Sequence, residues 1–149
     1  MSLPEFHTQH VFIIDEDERS HLLFRDIISE VPHLVHVSTA NNADEGIRAL
    51  KELPELPDLL FLDLEMLSKD GLECLREIKN DKHLSALPVL TLSQSAYPSV
   101  INGAYEAGAH LHILISDLVD LRTAVHHVLS IDWKEKITQP PREEFVLSF

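Results

Sequence analysis

A single cysteine, Cys74, stands in this chain of 149 residues, so an internal disulfide and a cysteine-rich zinc site are both excluded and a reducing compartment is favoured. Its ordinary role is that of a small helix residue. Nowhere does the sequence hold an apolar run of the roughly 18 residues that a membrane-crossing helix needs. The stretch MSLPEFHTQH also lacks the basic flank and apolar core of a secretion signal. A cytoplasmic protein without membrane contact is expected. Basic residues are scarce: 12 Lys and Arg stand against 25 Asp and Glu, a formal charge of −13. Nucleic-acid affinity rests on basic groups that displace counterions, so direct DNA or RNA binding is not expected. Low-complexity tracts are missing too, and with 44% hydrophobic and 25% charged residues the composition is that of an ordinary globular protein. The length suits one domain, and therefore one site.

What is present is an alternation. VFII (11–14) is a short, β-prone apolar run that stops abruptly at Asp15, Glu16, Asp17 and Glu18, as a buried strand does where it leaves a sheet. Leu22, Leu23, Ile27 and Ile28 then fall near helical spacing up to Pro32. Leu34, Val35 and Val37 suggest a second strand, and Asn41 or Asn42 can cap a helix running to Leu53. LLFL (59–62) ends, like the first strand, on an acid, Asp63, followed by the turn-like Ser68, Lys69, Asp70 and Gly71. A helix through Leu72, Leu75 and Ile78, a strand over 88–92 and a helix over 100–107 closed by Gly108 follow. A fifth strand over 111–115 and a helix over 116–130 complete five βα units.

Continuous apolar strands alternating with helices imply a doubly wound α/β fold, a parallel sheet with helices on both faces. The expected division is an N-terminal extension over 1–9, one domain over 10–131 and a tail over 132–149. In the tail Pro140 and Pro141 lie among polar residues, and the last five residues include four apolar ones. The tail reads either as a disordered end or as an apolar strip docking on this domain or a partner.

Ligands of open α/β sheets bind outside the carboxyl ends of the strands. Three strand-end residues here, Asp15, Glu16 and Asp63, are acids, and gathered carboxylates repel one another unless a hard cation such as Mg²⁺ neutralises them. Asp17, Glu18 and Glu65 read more simply as solvated loop residues. Phosphoryl transfer to a carboxylate needs such a cation and a positioned oxygen nucleophile, for which Asp63 is the candidate. Ser93, at the end of the fourth strand, can donate its hydroxyl hydrogen to a phosphoryl oxygen.

Over about residues 10 to 130 these motifs resemble the receiver domain of two-component response regulators. VFIIDEDE resembles the family's first strand with its acidic pair, which implies Asp15 and Glu16 as Mg²⁺-site acids. PDLLFLDLEMLSKDG resembles the segment around the phosphorylated aspartate. That implies Asp63 as acceptor and the Glu65 backbone carbonyl on the metal, with Leu67 where a proline is usual. LPVLTLSQS places Ser93 at the switch hydroxyl, followed by Gln94 where the family has a small residue. GAHLHILIS puts His112 at the aromatic switch position, and Ile115 and Ser116 where a lysine and proline stand. The resemblance implies a flavodoxin-like five-stranded sheet of order 2-1-3-4-5.

Its functional implication is a single receiver domain that takes a phosphoryl group on Asp63 from a histidine kinase or phosphotransfer protein and signals to a downstream protein target. A homodimer would form through the fourth helix, fifth strand and fifth helix. At most such a domain phosphorylates itself from a donor and dephosphorylates itself; it is not an enzyme in the ordinary sense. Ile115 cannot supply the missing ammonium, and one lost charge-assisted contact is worth about 1.5 to 3 kcal/mol. The rival expectation is therefore a pseudo-receiver, an interaction module that keeps the fold without switching by phosphorylation.

Overall fold

The computed structural model describes residues 8–66, 70–115, 118–135 and 138–148, without the side chains of Leu118 and Val119. Ten elements alternate: β1 (Gln9–Ile14), α1 (Glu18–Ile28), β2 (Val35–Ala40), α2 (Ala43–Glu52), β3 (Leu59–Asp63), α3 (Gly71–Asn80), β4 (Val89–Ser93), α4 (Pro98–Glu106), β5 (Leu111–Leu114) and α5 (Leu118–Leu129). A 3-10 turn (Arg142–Glu144) and a short β6 (Val146–Leu147) follow. All strand pairs are parallel, in the order β2-β1-β3-β4-β5-β6. The expected order 2-1-3-4-5 is present, and a sixth strand extends it.

Side-chain chemistry sets the element boundaries. Asp17, Asn42 and Asp70 each accept a backbone N–H one turn into their helix, at 2.9, 2.8 and 3.0 Å, satisfying donors that a helix start leaves unpaired. Between the two candidate asparagines, Asn42 is the cap. Helix α4 begins at Pro98, earlier than the apolar spacing predicts, because proline fits the first helical turn, where no N–H is needed. Gly108 ends that helix with φ of 100°, a left-handed conformation suited to glycine. The expected positions Leu67, Ser68, Lys69 and Ser116 lie outside the described residues.

Strand alternation divides the core in two. Phe12, Ile14, Leu60, Leu62 and Val89 face α2, α3 and α4 through Leu50, Leu75, Ile78 and Ala104. Val11, Ile13, Leu59, Phe61, Leu90 and Ile113 face α1 and α5 through Phe24, Ile27, Leu121, Val125 and Val128. Residues 59–62 are fully buried, so the polar atoms of β3 first meet solvent at its end. Cys74 is buried inside α3. Among the described residues, no helix is long and apolar enough to cross a membrane.

The tail docks on its own domain. Gln139 Nε2 donates to the carbonyls of Tyr105 and Ala109, at 2.8 and 2.7 Å, and the Tyr105 hydroxyl donates to the Pro140 carbonyl at 3.0 Å. Arg142 Nε donates to Asn102 Oδ1 at 2.9 Å. These bonds deliver Phe145 into the core, where it is fully buried between the rings of Tyr105 and His112, with centroids at 5.0 and 6.2 Å. The β5 edge that would otherwise be bare pairs with Val146 and Leu147. Of the two expectations for the tail, the docked apolar strip is the one observed over the described residues 138–148.

Removing the Phe145 ring should leave a large cavity. Phe145→Ala should lower unfolding free energy by about 3–5 kcal/mol in urea denaturation. A loss below about 1 kcal/mol, the size of an ordinary surface change, would show that the tail does not hold to the sheet in solution.

Candidate functional site

The chain places β2 on one side of β1 and β3 on the other, so a crevice opens where the strand order reverses. Asp15, Glu16, Asp63, Glu65, Ser93, Gln94 and Ile115 all line this cleft, together with Leu23, Phe24 and Leu121 at its apolar wall. Thus, among the described residues, the site residues singled out from the sequence other than His112 line one cavity. His112 lies directly behind it.

Asp15 leaves β1 half-buried, its carboxylate accepting the Asp17 N–H at 2.9 Å. Burial raises its pKa, and that N–H and the Ser20 side chain work in the opposite direction. Asp63 accepts the Glu65 N–H at 2.9 Å. Burial, reinforced by the negative charges of Asp15, Glu65 and Glu16, pushes the Asp63 pKa up to about 6. Gly71 lets α3 start against this loop: a side chain there would strike the Leu64 backbone and lie 2.8 Å from the Asp63 carbonyl oxygen. Asp17, at the rim of the cleft, caps α1 and pairs with Arg19 at 3.0 Å, in keeping with its reading as a loop residue.

No Lys or Arg is among the described residues lining the cleft. Ile115 stands at its edge, with its N–H bonded to the Ser93 carbonyl at 2.9 Å. Nor do any three Asp, Glu, His or Cys side chains among the described residues already form a metal cage. The acids surround the cleft without closing on one point. Such a set suits a hard cation that keeps part of its water shell and takes only a few carboxylate oxygens.

Behind the cleft lies a polar relay in an otherwise apolar layer. Ser93 Oγ donates to the Ser95 carbonyl at 3.0 Å, which uses its only hydrogen, so the 3.0 Å contact with His112 Nε2 is donated by the imidazole. His112 Nδ1 then accepts from Thr91 Oγ1 at 2.7 Å. Burial, aided by the positive charge of Arg142, lowers the His112 pKa to about 4, which keeps the ring neutral as this pattern requires. Its backbone N–H donates to the Phe145 carbonyl at 3.0 Å.

Sequence reasoning missed Thr91, Phe145 and the role of the Glu65 side chain. Thr91 was findable, since it shares a strand face with Ser93 two residues away. Glu65 reads from sequence as a solvated acid, yet its Oε1 accepts the N–H groups of Gln94 and Ser95 at 2.6 and 3.1 Å.

The model of the response regulator receiver domain family matches residues 11–126. The probable C4-dicarboxylate response regulator DctR of Bacillus subtilis is 33% identical over 104 residues, covering 70% of this chain and 44% of that protein. Response regulator Rcp1 of Synechocystis is 35% identical over 84 residues, 56% of each. The chain thus spans about half the length of these curated relatives. Among solved structures, the phosphorylated cyanobacterial phytochrome response regulator RcpA superposes with a TM-score of 0.78 at 26% identity, over 91% of this chain and all of that one. The Mn²⁺-bound form of Rcp1 gives 0.75 at 22%, over 89% and 99%. The Mg²⁺-coordinating receiver domain of the sensor histidine kinase PA1611 from Pseudomonas aeruginosa gives 0.71 at 13%, over 87% and all of that chain; these last two likenesses speak to fold alone. With its strand order, its acidic crevice and this match over most of its length, the chain belongs to the receiver-domain family of two-component response regulators, signalling domains that work with histidine kinases or phosphotransfer proteins.

Proposed function

We propose that this receiver accepts a phosphoryl group on Asp63 from the phosphohistidine of a kinase or phosphotransfer protein and passes the change to a downstream protein. The observation that carries this reading is the placement of Asp63: half-buried at the end of β3, ringed by Asp15 and Glu16, and facing the same cleft as Ser93. An Asp63 carboxylate oxygen attacks phosphorus, the donor's P–N bond breaks, and its electron pair returns to the imidazole, leaving an acyl phosphate. Asp15, Glu16, Asp63 and the Glu65 backbone carbonyl would hold Mg²⁺, which when bound offsets negative charge on the carboxylates and phosphoryl oxygens. Ser93, freed from the Ser95 carbonyl, would donate to a phosphoryl oxygen. Support for a divalent ion comes from the gathering of Asp15, Glu16 and Asp63 on one cleft and from the raised pKa of Asp63, to which burial contributes first and the neighbouring acids add.

Ile115 favours a second reading. Where the family has lysine, the cleft has a butyl side chain, and the protein on that reading is a pseudo-receiver that binds partners without switching. A homodimer through α4, β5 and α5 would in either case meet the docked tail, since β6 occupies the β5 edge.

Intact-mass spectrometry after incubation with Mg²⁺ and acetyl phosphate separates the two readings. A phosphoryl adduct on the native chain and none on Asp63→Asn is the expected outcome; a folded, Mg²⁺-binding native chain that stays unmodified would favour the pseudo-receiver.

The raised pKa of Asp63 carries a stability signature. Between its ordinary value of 3.8 and about 6 the folded chain keeps a proton that the unfolded chain has released. Without metal, the Asp63 contribution to stability should be greatest below about pH 4 and decline by roughly 2 kcal/mol as pH rises through 6, after allowance for partial exposure. Asp63→Asn should flatten this part of the profile, and Mg²⁺ at neutral pH should raise the melting temperature of the native chain more than that of Asp63→Asn. Identical slopes in the two chains would show that Asp63 is not held under this charge stress.

A further inference from the structure

We infer that the Glu65 carboxylate is an internal stand-in for a phosphoryl oxygen, occupying the backbone amides at the start of the β4–α4 loop until a phosphoryl group on Asp63 displaces it. This rests on the reading of Asp63 as phosphoacceptor. Glu65 is exposed, two residues beyond Asp63, and could have extended into water like most surface glutamates. Instead it folds back across the cleft. Its Oε1 accepts two consecutive N–H groups, those of Gln94 and Ser95, at 2.6 and 3.1 Å, while its own N–H donates to Asp63 at 2.9 Å.

One residue therefore joins the acceptor aspartate to the loop that follows the Ser93 hydroxyl. Paired backbone N–H groups are a site for an anionic oxygen, and here they lie on the same cleft as Asp63 and Ser93. A phosphoryl group on Asp63 brings three anionic oxygens into this cleft. One of them can take the Gln94 N–H only if Glu65 gives it up. No Lys or Arg among the described lining residues offers the incoming group an alternative partner. Glu65 thereby sets a threshold: it fixes the loop in the resting protein and competes with the group that would fix it in the modified one. Substituting the side chain leaves in place the backbone carbonyl proposed for the metal.

The test compares the native chain, Glu65→Gln and Glu65→Ala in their initial rates of phosphorylation by acetyl phosphate with saturating Mg²⁺, and in amide hydrogen exchange at Gln94 and Ser95 by NMR without phosphodonor. A glutamine oxygen still accepts the two N–H bonds, more weakly than a carboxylate; alanine accepts neither. Occupancy predicts graded rates, with Glu65→Gln a few-fold faster than native and Glu65→Ala about tenfold faster or more. It also predicts faster exchange of both amides in Glu65→Ala. Equal acceleration by both substitutions would assign the effect to charge alone and overturn the proposal, as would equal rates in all three chains or unchanged exchange at the two amides. If none of the three chains takes a phosphoryl group, the acceptor role of Asp63 falls, and this proposal with it, a failure distinct from an adduct that forms at one rate in all.

Discussion

Negative charge held at the mouth of an apolar parallel sheet is the constraint on which the site depends. The four residues before Asp63 are fully buried and apolar, so β3 offers no polar atom until its end. Because neighbouring strands run parallel, the end of β1 opens onto the same crevice and brings Asp15 and Glu16 with it. Desolvation and mutual repulsion then act together on Asp63, and the Glu65 N–H compensates only in part. A structural carboxylate would be paired or would lie in water. One left under this stress is suited to bind a cation and to act as a nucleophile.

A second consequence of the parallel sheet is that whatever happens at Ser93 is felt at its far edge. His112 accepts from Thr91 and donates to Ser93, while its backbone and ring both meet Phe145. A phenylalanine or tyrosine at this position could not make both ring bonds, since each presents at most one polar atom. The histidine therefore ties the cleft hydroxyl to the docked tail through one rigid, neutral ring. Movement of Ser93 toward the cleft would leave Nε2–H without its acceptor in a buried layer. The relay resists that movement unless His112 and Phe145 shift as well.

The fold was legible because its signals are redundant. The apolar runs of β1 and β3 each stop at an acid, and Pro32, Asn42 and Gly108 punctuate the helices. Strand ends alone pointed to Asp15, Glu16, Asp63 and Ser93, whereas Gln94 and Ile115 entered through the resemblance to the receiver family; all six line one cleft. The sixth strand was not legible, since two residues, Val146 and Leu147, carry no period, and Phe145 looks like any aromatic in a polar tail. Its burial depends on Tyr105, His112 and Gln139, which only tertiary structure brings together. The Glu65 clasp was hidden for a similar reason: a surface glutamate has no sequence mark that distinguishes one solvated from one folded back onto backbone amides.

If Asp63 accepts a phosphoryl group as proposed, Ile115 in place of the family's lysine would change the balance of the switch. A modification moves a two-state loop only by the difference in how strongly it binds the two states. In this cleft the hydrogen-bond donors are already engaged: Ser93 with the Ser95 carbonyl, and the amides of Gln94 and Ser95 with Glu65. A phosphoryl group would exchange one set of contacts for another, and no lysine at position 115 would add a contact found only in the modified state. The net bias toward a new loop position is then smaller than in a receiver that gains an ion pair on modification. What difference remains must come from the metal and from the greater charge of phosphate over carboxylate. On the proposed reading of Asp63, Ile115 and Glu65 would therefore act in the same direction, each reducing the bias that a phosphoryl group can exert on the loop.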